Sequence, residues 1–310
     1  MRVAVLGLGL IGGSAALALA EAGHEVIGYD TSARTREAAA ERFAVADDPA
    51  ALREADIAVV AVPMDSVAAA AEDFAPGRFE GIVTDAASIK GFVRRSLGGH
   101  RFVGGHPMAG KATAGFDEAE ADLFRGRAWA LCLDEDTALA DWTAVARLWL
   151  SVGARVVPTT SAAHDRAAAR ISHLEHLVAA ALALVADDPL SRTLAAGSFR
   201  DATRVAASPA RLVEGMVVHN RAELLSALDG LGRELGTARE LVESRPGETG
   251  AWLERPRRLR ETWPPEPGEA EPLPLTRADL LALGETGGWL ESIEDIDVAT
   301  VRRPRVKSTP

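Results

Sequence analysis

The chain has 310 residues, 47% hydrophobic and 25% charged, which is ordinary globular composition with enough apolar material for two domains. Its 34 basic and 45 acidic residues leave a formal net charge of -11, the wrong sign for a binder of nucleic-acid phosphates or of an anionic membrane surface. The single cysteine, Cys132, excludes an internal disulfide and any Cys-rich metal site, and points to a reducing, cytoplasmic compartment.

Residues Met1 to Ala20 superficially resemble a secretory signal, with a basic residue followed by an apolar run. Gly7, Gly9, Gly12 and Gly13 interrupt that run, and a strand-like segment follows it, so the signal reading is rejected. No other stretch approaches the roughly 18 uninterrupted apolar residues of a membrane helix. Strands are predicted at 2–6, 25–29, 57–62, 81–84, 101–103, 128–133 and 155–157, and helices at 11–22, 35–42, 50–55, 65–74, 90–97 and 138–152. This alternation, with strands as apolar as Ile57 to Val62, predicts an α/β fold: a doubly wound, mostly parallel sheet of Rossmann type over residues 1–157.

After Pro158 the strands stop. Helical stretches broken at Asp188-Pro189, Gly197 and Ser208-Pro209 predict an all-helical second domain over 158–245. Apolar faces such as Leu174 to Val185 need a partner, and a homodimer through this domain supplies one. Residues 245–275 carry seven prolines and read as a linker or extended arm, so 246–310 is expected to be an arm with a short tail of unassigned role. Within that tail, 277–283 reads as a helix and 297–302 as a strand.

Gly7-Leu8-Gly9-Leu10-Ile11-Gly12 follows the first strand and opens the first helix. Glycines at this spacing allow a tight turn, close approach of a pyrophosphate and close packing of helix on strand. Asp30, eighteen residues beyond Gly12 at the end of the second strand, is placed to accept ribose hydroxyls. The pattern predicts a dinucleotide, with NAD favoured over NADP because a carboxylate repels a 2′-phosphate. Arg34 and Arg36 are the nearby cations that weaken this preference. Leu10 and Ile11 in the loop, with Val62 and Pro63 at the end of the third predicted strand, complete the expected cofactor set.

Six strings occur in order: GLGLIGGS from Gly7, TDAASIK from Thr84, GHPMAG from Gly105, His164-Asp165, SHLEH from Ser172 and GSFRDATRVAAS from Gly197. Together, over roughly residues 1–245, they resemble the prephenate dehydrogenase family, which includes arogenate and cyclohexadienyl dehydrogenases. The resemblance implies oxidation of a cyclohexadienol carrying two carboxylates. A base takes the C4 hydroxyl proton, hydride leaves C4 for the nicotinamide, and loss of the ring carboxylate as CO2 yields an aromatic ring. Such chemistry needs a base near neutrality, a positioned hydrogen-bond partner and a cation for carboxylate.

By resemblance His106 is the catalytic base and Ser88 its hydrogen-bonding partner, with Asp85 and Lys90 in support. Ser88 is equally well suited to cap the helix starting near Ile89. His176 is implied as a substrate contact, with Ser172 and His173 in the pocket wall. His164, His173 and His176 also raise a metal site, which lacks a convincing third ligand, so no metal is expected. Arg204 is the cation implied for a substrate carboxylate, oriented by Asp201, with Arg200 a weaker second. A plain surface pair between Asp201 and Arg204 is the alternative.

Two positions depart from the family pattern. Lys111-Ala112-Thr113 follows the GHPMAG string where a glutamate is common, and Val213 stands where an aromatic residue is common. Prephenate, arogenate and an amino-substituted relative (4-amino-4-deoxyprephenate) therefore all remain open, prephenate first. The 35 residues from Thr276 are about half the length of the ACT-type regulatory domain many relatives carry, so feedback through such a domain is not expected. A β-hydroxyacid dehydrogenase fits less well, because that class uses a lysine of the helical domain and no lysine lies between Lys111 and Lys307. A non-catalytic NAD-binding regulator fits poorly with Ser88, His106, His176 and Arg204 all present.

Overall fold

The computed structural model describes residues 1–305 apart from 112 and 296. The chain forms two compact units, Met1–His164 with the segment from Pro267 onward, and Asp165–Glu266.

The first unit holds two six-stranded sheets. One joins β1 (Arg2–Leu6), β2 (Glu25–Tyr29), β3 (Ala44–Val45), β4 (Ile57–Val60), β5 (Ile82–Asp85) and β6 (Phe102–Val103). Its order is β3-β2-β1-β4-β5-β6, and all its pairs are parallel. Every residue of β4 is buried, as a strand covered on both faces requires. The helices between these strands are α1 (Leu10–Glu21), α2 (Ala33–Ala40), α3 (Val67–Asp73) and α4 (Lys90–Ser96).

The second sheet corrects the expectation of one. It joins β7 (Gly105–Pro107), β8 (Ala128–Cys132), β9 (Arg155–Thr159), β10 (Glu271–Pro274), β11 (Trp289–Ile293) and β12 (Val298–Arg302). In the order β10-β12-β11-β9-β8-β7, only β8 and β9 run parallel. The chain changes sheet at Gly104-Gly105, where a Cβ on Gly105 would stand 2.6 Å from the Asp85 carbonyl oxygen. Only glycine permits that approach. Helix α5 (Leu139–Ser151) buries Trp142, Val145 and Trp149 in one core that runs from Val3 and Val5 of β1 to Leu290 and Val301.

Chain continuity passes to the second unit through α6 (Ser161–Ala168), a π-helical turn (Ala169–His173) and α7 (Leu174–Val185). Then follow α8 (Pro189–Leu194), α9 (Gly197–Thr203), α10 (Ala210–His219), α11 (Arg221–Ser244) and α12 (Thr249–Glu261). The predicted breaks are helix starts: the Asp188 side chain caps α8 at the Ser191 amide, and Pro209 precedes α10. The expected linker is corrected in part, since α12 occupies 249–261 and tolerates Pro256 within it. Beyond it, α13 (Arg277–Glu285) and three strands return to the first unit. Strand β11 pairs with β9, and the Arg277 guanidinium donates to the carbonyls of Leu133, Asp134 and Thr137. This tail is therefore an edge of the second sheet, not an arm.

Candidate active site

The glycine loop leaves the C-terminal end of β1, beside the point where strand order reverses, which is where open α/β sheets bind ligands. Gly7 has φ +90°, the left-handed region that favours glycine. A Cβ on Gly12 would lie 1.8 Å from the Gly7 carbonyl oxygen, so helix and turn meet only because it is glycine. Gly9 differs: a Cβ there would meet nothing within 4 Å. It is also the N-cap of α1 and supplies no side-chain cap, so the first turn presents its amides without a protein acceptor from that residue. An open face on uncapped helix amides fits a pyrophosphate.

Asp30 follows β2. One carboxylate oxygen accepts from the Leu8 amide and the other from the Ser32 amide, both at 2.8 Å. Each oxygen keeps a second lone-pair direction for a ribose hydroxyl. Of the two arginines noted in the sequence, one lies beside Asp30 and the other in a surface pair. Arg36 donates to the Asp30 carbonyl at 2.8 Å and lies over the Tyr29 ring, while Arg34 forms an exposed pair with Asp117 at 3.6 Å. Val62 and Pro63 follow β4 on the same edge, and Val62 lines the Gly7 turn.

Ser88 follows β5, half-buried, with no hydrogen-bond partner among the described residues. It is not a cap, because α4 takes Ile89 at its N-cap with no side-chain cap bond. Asp85 and Lys90 flank it as a fully buried ion pair. That pair grips Gly105 from both sides: the Gly105 amide donates to Asp85 Oδ1 at 3.0 Å, and Lys90 Nζ donates to the Gly105 carbonyl at 2.5 Å. Asp85 Oδ2 also accepts from the Ala87 amide at 2.9 Å. Two desolvated charges persist because each is also hydrogen-bonded to backbone. The Asp85 carboxylate thus ties the Ser88 loop and the His106 strand to one corner.

His106 stands in β7, opposite Ala130 of β8, and is half-buried. Its Nδ1 lies 2.9 Å from Nε2 of His164, with the rings edge to face at 74°. His164 entered the sequence reading as part of a family string and as a weighed metal ligand, and 58 residues of separation give no signal for this contact. Among the described residues no three His, Cys, Asp or Glu side chains are placed to hold a metal ion.

In the second unit, His173 is only 1% exposed, and its Nδ1 lies 3.2 Å from Nδ2 of Asn220, which also donates to the Asp165 carbonyl. Its place is inside the helical packing rather than on a pocket wall. Asn220 was not anticipated from sequence. Ser172 and His176 are half-buried, and His176 Nδ1 is 3.2 Å from the Val205 carbonyl, which fastens α7 to the turn carrying Arg204. The π-helical turn re-aims the residues just before His176, a device common at functional sites. Arg204 is exposed and makes no ion pair or hydrogen bond among the described residues. Asp201 lies 3.4 Å from Arg200 instead, so it does not orient Arg204 here.

The family model described as the nucleotide-binding domain of prephenate dehydrogenase matches residues 15–158, and that of its dimerization domain matches residues 160–253. Cyclohexadienyl dehydrogenase of Zymomonas mobilis is 34% identical over 264 residues, which is 80% of this chain and 90% of the relative. The crystal structure of Synechocystis arogenate dehydrogenase superposes with a TM-score of 0.72 at 32% identity, covering 84% of this chain and 97% of that one. Prephenate dehydrogenase of Aquifex aeolicus, solved with hydroxyphenyl propionate and NAD+, superposes with a TM-score of 0.77 at 25% identity over the same shares. With both domains matched in order, the chain belongs to the prephenate dehydrogenase family, a family of oxidoreductases.

Proposed function

We propose that this protein catalyses the NAD-dependent oxidative decarboxylation of prephenate to 4-hydroxyphenylpyruvate, in tyrosine biosynthesis. The observation that carries the reading is the corner built by Asp85, where the Ser88 loop and the His106 strand meet on the edge that also bears the glycine loop. NAD supplies the hydride acceptor, and Gly9, the first turn of α1 and Asp30 would hold it. The Asp30 carboxylate, which would repel a 2′-phosphate, favours NAD over its 2′-phosphorylated form.

In this reading His106 takes the C4 hydroxyl proton and Ser88 hydrogen-bonds the same oxygen. As hydride departs from C4, the bond to the ring carboxylate breaks. Its electrons pass through the ring to the C4 oxygen, CO2 leaves, and that oxygen takes the proton back from His106 to give the phenol. Arg204 binds a carboxylate through its planar fork, with Ser172 and His176 as further contacts. Arogenate is the second reading, favoured by the 32% identity to Synechocystis arogenate dehydrogenase.

A homodimer through the helical unit accompanies this assignment. Among the described residues, all but three of the exposed large apolar side chains (Met1, Met108 and Val298) lie in that unit. The helical run Ser161–Val185 is long and apolar enough to cross a membrane, against the sequence expectation, because α6 and α7 join through the π turn. Its match to a dimerization domain supports a protein partner for that apolar face. With Cys132 its single cysteine, the chain forms no internal disulfide, which fits a reducing cytoplasm.

The test is NADH formation with prephenate and arogenate, each with NAD and NADP. His106→Asn is expected to lower kcat at least about 100-fold. Arg204→Gln is expected to raise KM about 10- to 100-fold, the worth of a charge-assisted contact. Unchanged turnover in both variants overturns the assignment.

A further inference from the structure

We propose that His164 is a positioning residue that fixes His106 in the tautomer its reaction requires, an inference that rests on His106 being the base. The Nδ1–Nε2 separation of 2.9 Å is a hydrogen bond, so one ring donates and the other accepts. Two doubly protonated rings would direct N–H against N–H, so the pair carries one proton between these atoms.

Which ring donates follows from the chemistry. If His106 Nδ1 accepted, the neutral ring would carry its proton on Nε2 and have no lone pair there for substrate. If Nδ1–H donates to His164, Nε2 is the basic nitrogen. When Nε2 takes the hydroxyl proton, the resulting imidazolium keeps its Nδ1–H bond to the neutral His164 acceptor. The partner therefore selects the starting tautomer and stabilises the charged product, and it need not take a proton itself.

His164 is well held for this task. It is 5% exposed, one turn into α6, whose start is fixed by Asp134. Asp134 Oδ1 accepts from the Ser161 amide at 2.9 Å and Oδ2 from the Ser161 hydroxyl at 2.5 Å. Arg94 lies 3.7 Å from the same carboxylate, and Arg277 donates to the Asp134 carbonyl at 2.6 Å. Arg94 sits four residues after Lys90 on α4, so one short helix braces both partners. Lys90 holds the backbone before His106, and Arg94 holds the residue that caps the helix of His164.

The test compares His164→Gln, whose amide oxygen can still accept from Nδ1–H, with His164→Leu, which cannot accept. His164→Leu is expected to lose about 10- to 100-fold in kcat with KM for NAD unchanged, and His164→Gln to recover most of it. In parallel, nitrogen NMR of histidine-labelled wild-type protein should show His106 protonated on Nδ1, and His164→Leu should shift it toward protonation on Nε2. Wild-type kcat in His164→Leu, equal loss in His164→Gln, or His106 protonated on Nε2 in the wild type would each overturn the proposal. The wild-type NMR reading needs no activity and no folded Leu variant. Failure of His106 as base is scored separately, by the His106→Asn assay.

Discussion

Two glycines of one loop are constrained for opposite reasons, and substitution separates them. A Cβ on Gly12 would strike the Gly7 carbonyl oxygen at 1.8 Å and Ala61 at 2.9 Å, so Gly12→Ala should lower the melting temperature and abolish NAD binding together. A Cβ on Gly9 would meet no protein atom, so Gly9→Ala should melt like the wild type and bind NAD more weakly, read by calorimetry. A Gly9→Ala protein with unaltered NAD affinity would remove the loop from the cofactor site. His24 is a second residue-scale case. The Ser151 hydroxyl donates to the Leu148 carbonyl, so its oxygen accepts from His24 Nε2–H and the buried Nδ1 is left with a lone pair and no partner among the described residues. Burial first, and the positive amino terminus second, hold this imidazole below its ordinary value of 6.5. The unfolded chain then binds the extra proton as pH falls through 6.5, so acidification costs stability. Wild-type protein should lose more of its melting temperature between neutral and mildly acidic pH than His24→Gln does, and equal losses would contradict the assignment.

At the scale of elements, α4 is seven residues long, yet one of its side chains reaches β7 and another the loop after β8. Lys90→Met leaves the Asp85 carboxylate buried without its counter-charge, and should cost about 3–5 kcal/mol in denaturant unfolding. Because the same lysine grips the Gly105 carbonyl, kcat should fall as well in whatever fraction remains folded. Retained stability would show that the pair is not clamping that strand. The TDAASIK string made Asp85 and Lys90 visible as supporting residues. Their means of support, a grip on the amide and carbonyl of a residue 15 to 20 positions away, was not visible, since a pairing between side chain and distant backbone leaves no local pattern.

For the whole molecule, the apolar side chains on the helical unit predict its assembly. Leu184 is 74% exposed and Leu194 71%, and the pair Leu184→Glu with Leu194→Glu should convert a dimer to monomer in sedimentation without unfolding unit one. A wild-type chain already monomeric at micromolar concentration would defeat the dimer. The tail also belongs at this scale. Its helix and last strand lay close to their predicted ranges, yet their destination did not follow from them. An amphipathic strand reports that it needs a sheet and not which one, and β11 reaches β9 across more than a hundred residues.

Local chemistry determined much of this protein. The period of the apolar residues located most strands and helices of the first 157 positions, though not β3 or β7, glycine spacing with Asp30 marked the dinucleotide loop, and the ordered strings marked the family, because each signal is carried by neighbours in the chain. Tertiary structure alone decided that the strands divide into two sheets, that His173 packs against Asn220, that Asp201 turns to Arg200, and that His164 meets His106. Those outcomes depend on which distant surfaces come together when the core closes, and periodicity within a single segment contains no record of its partner.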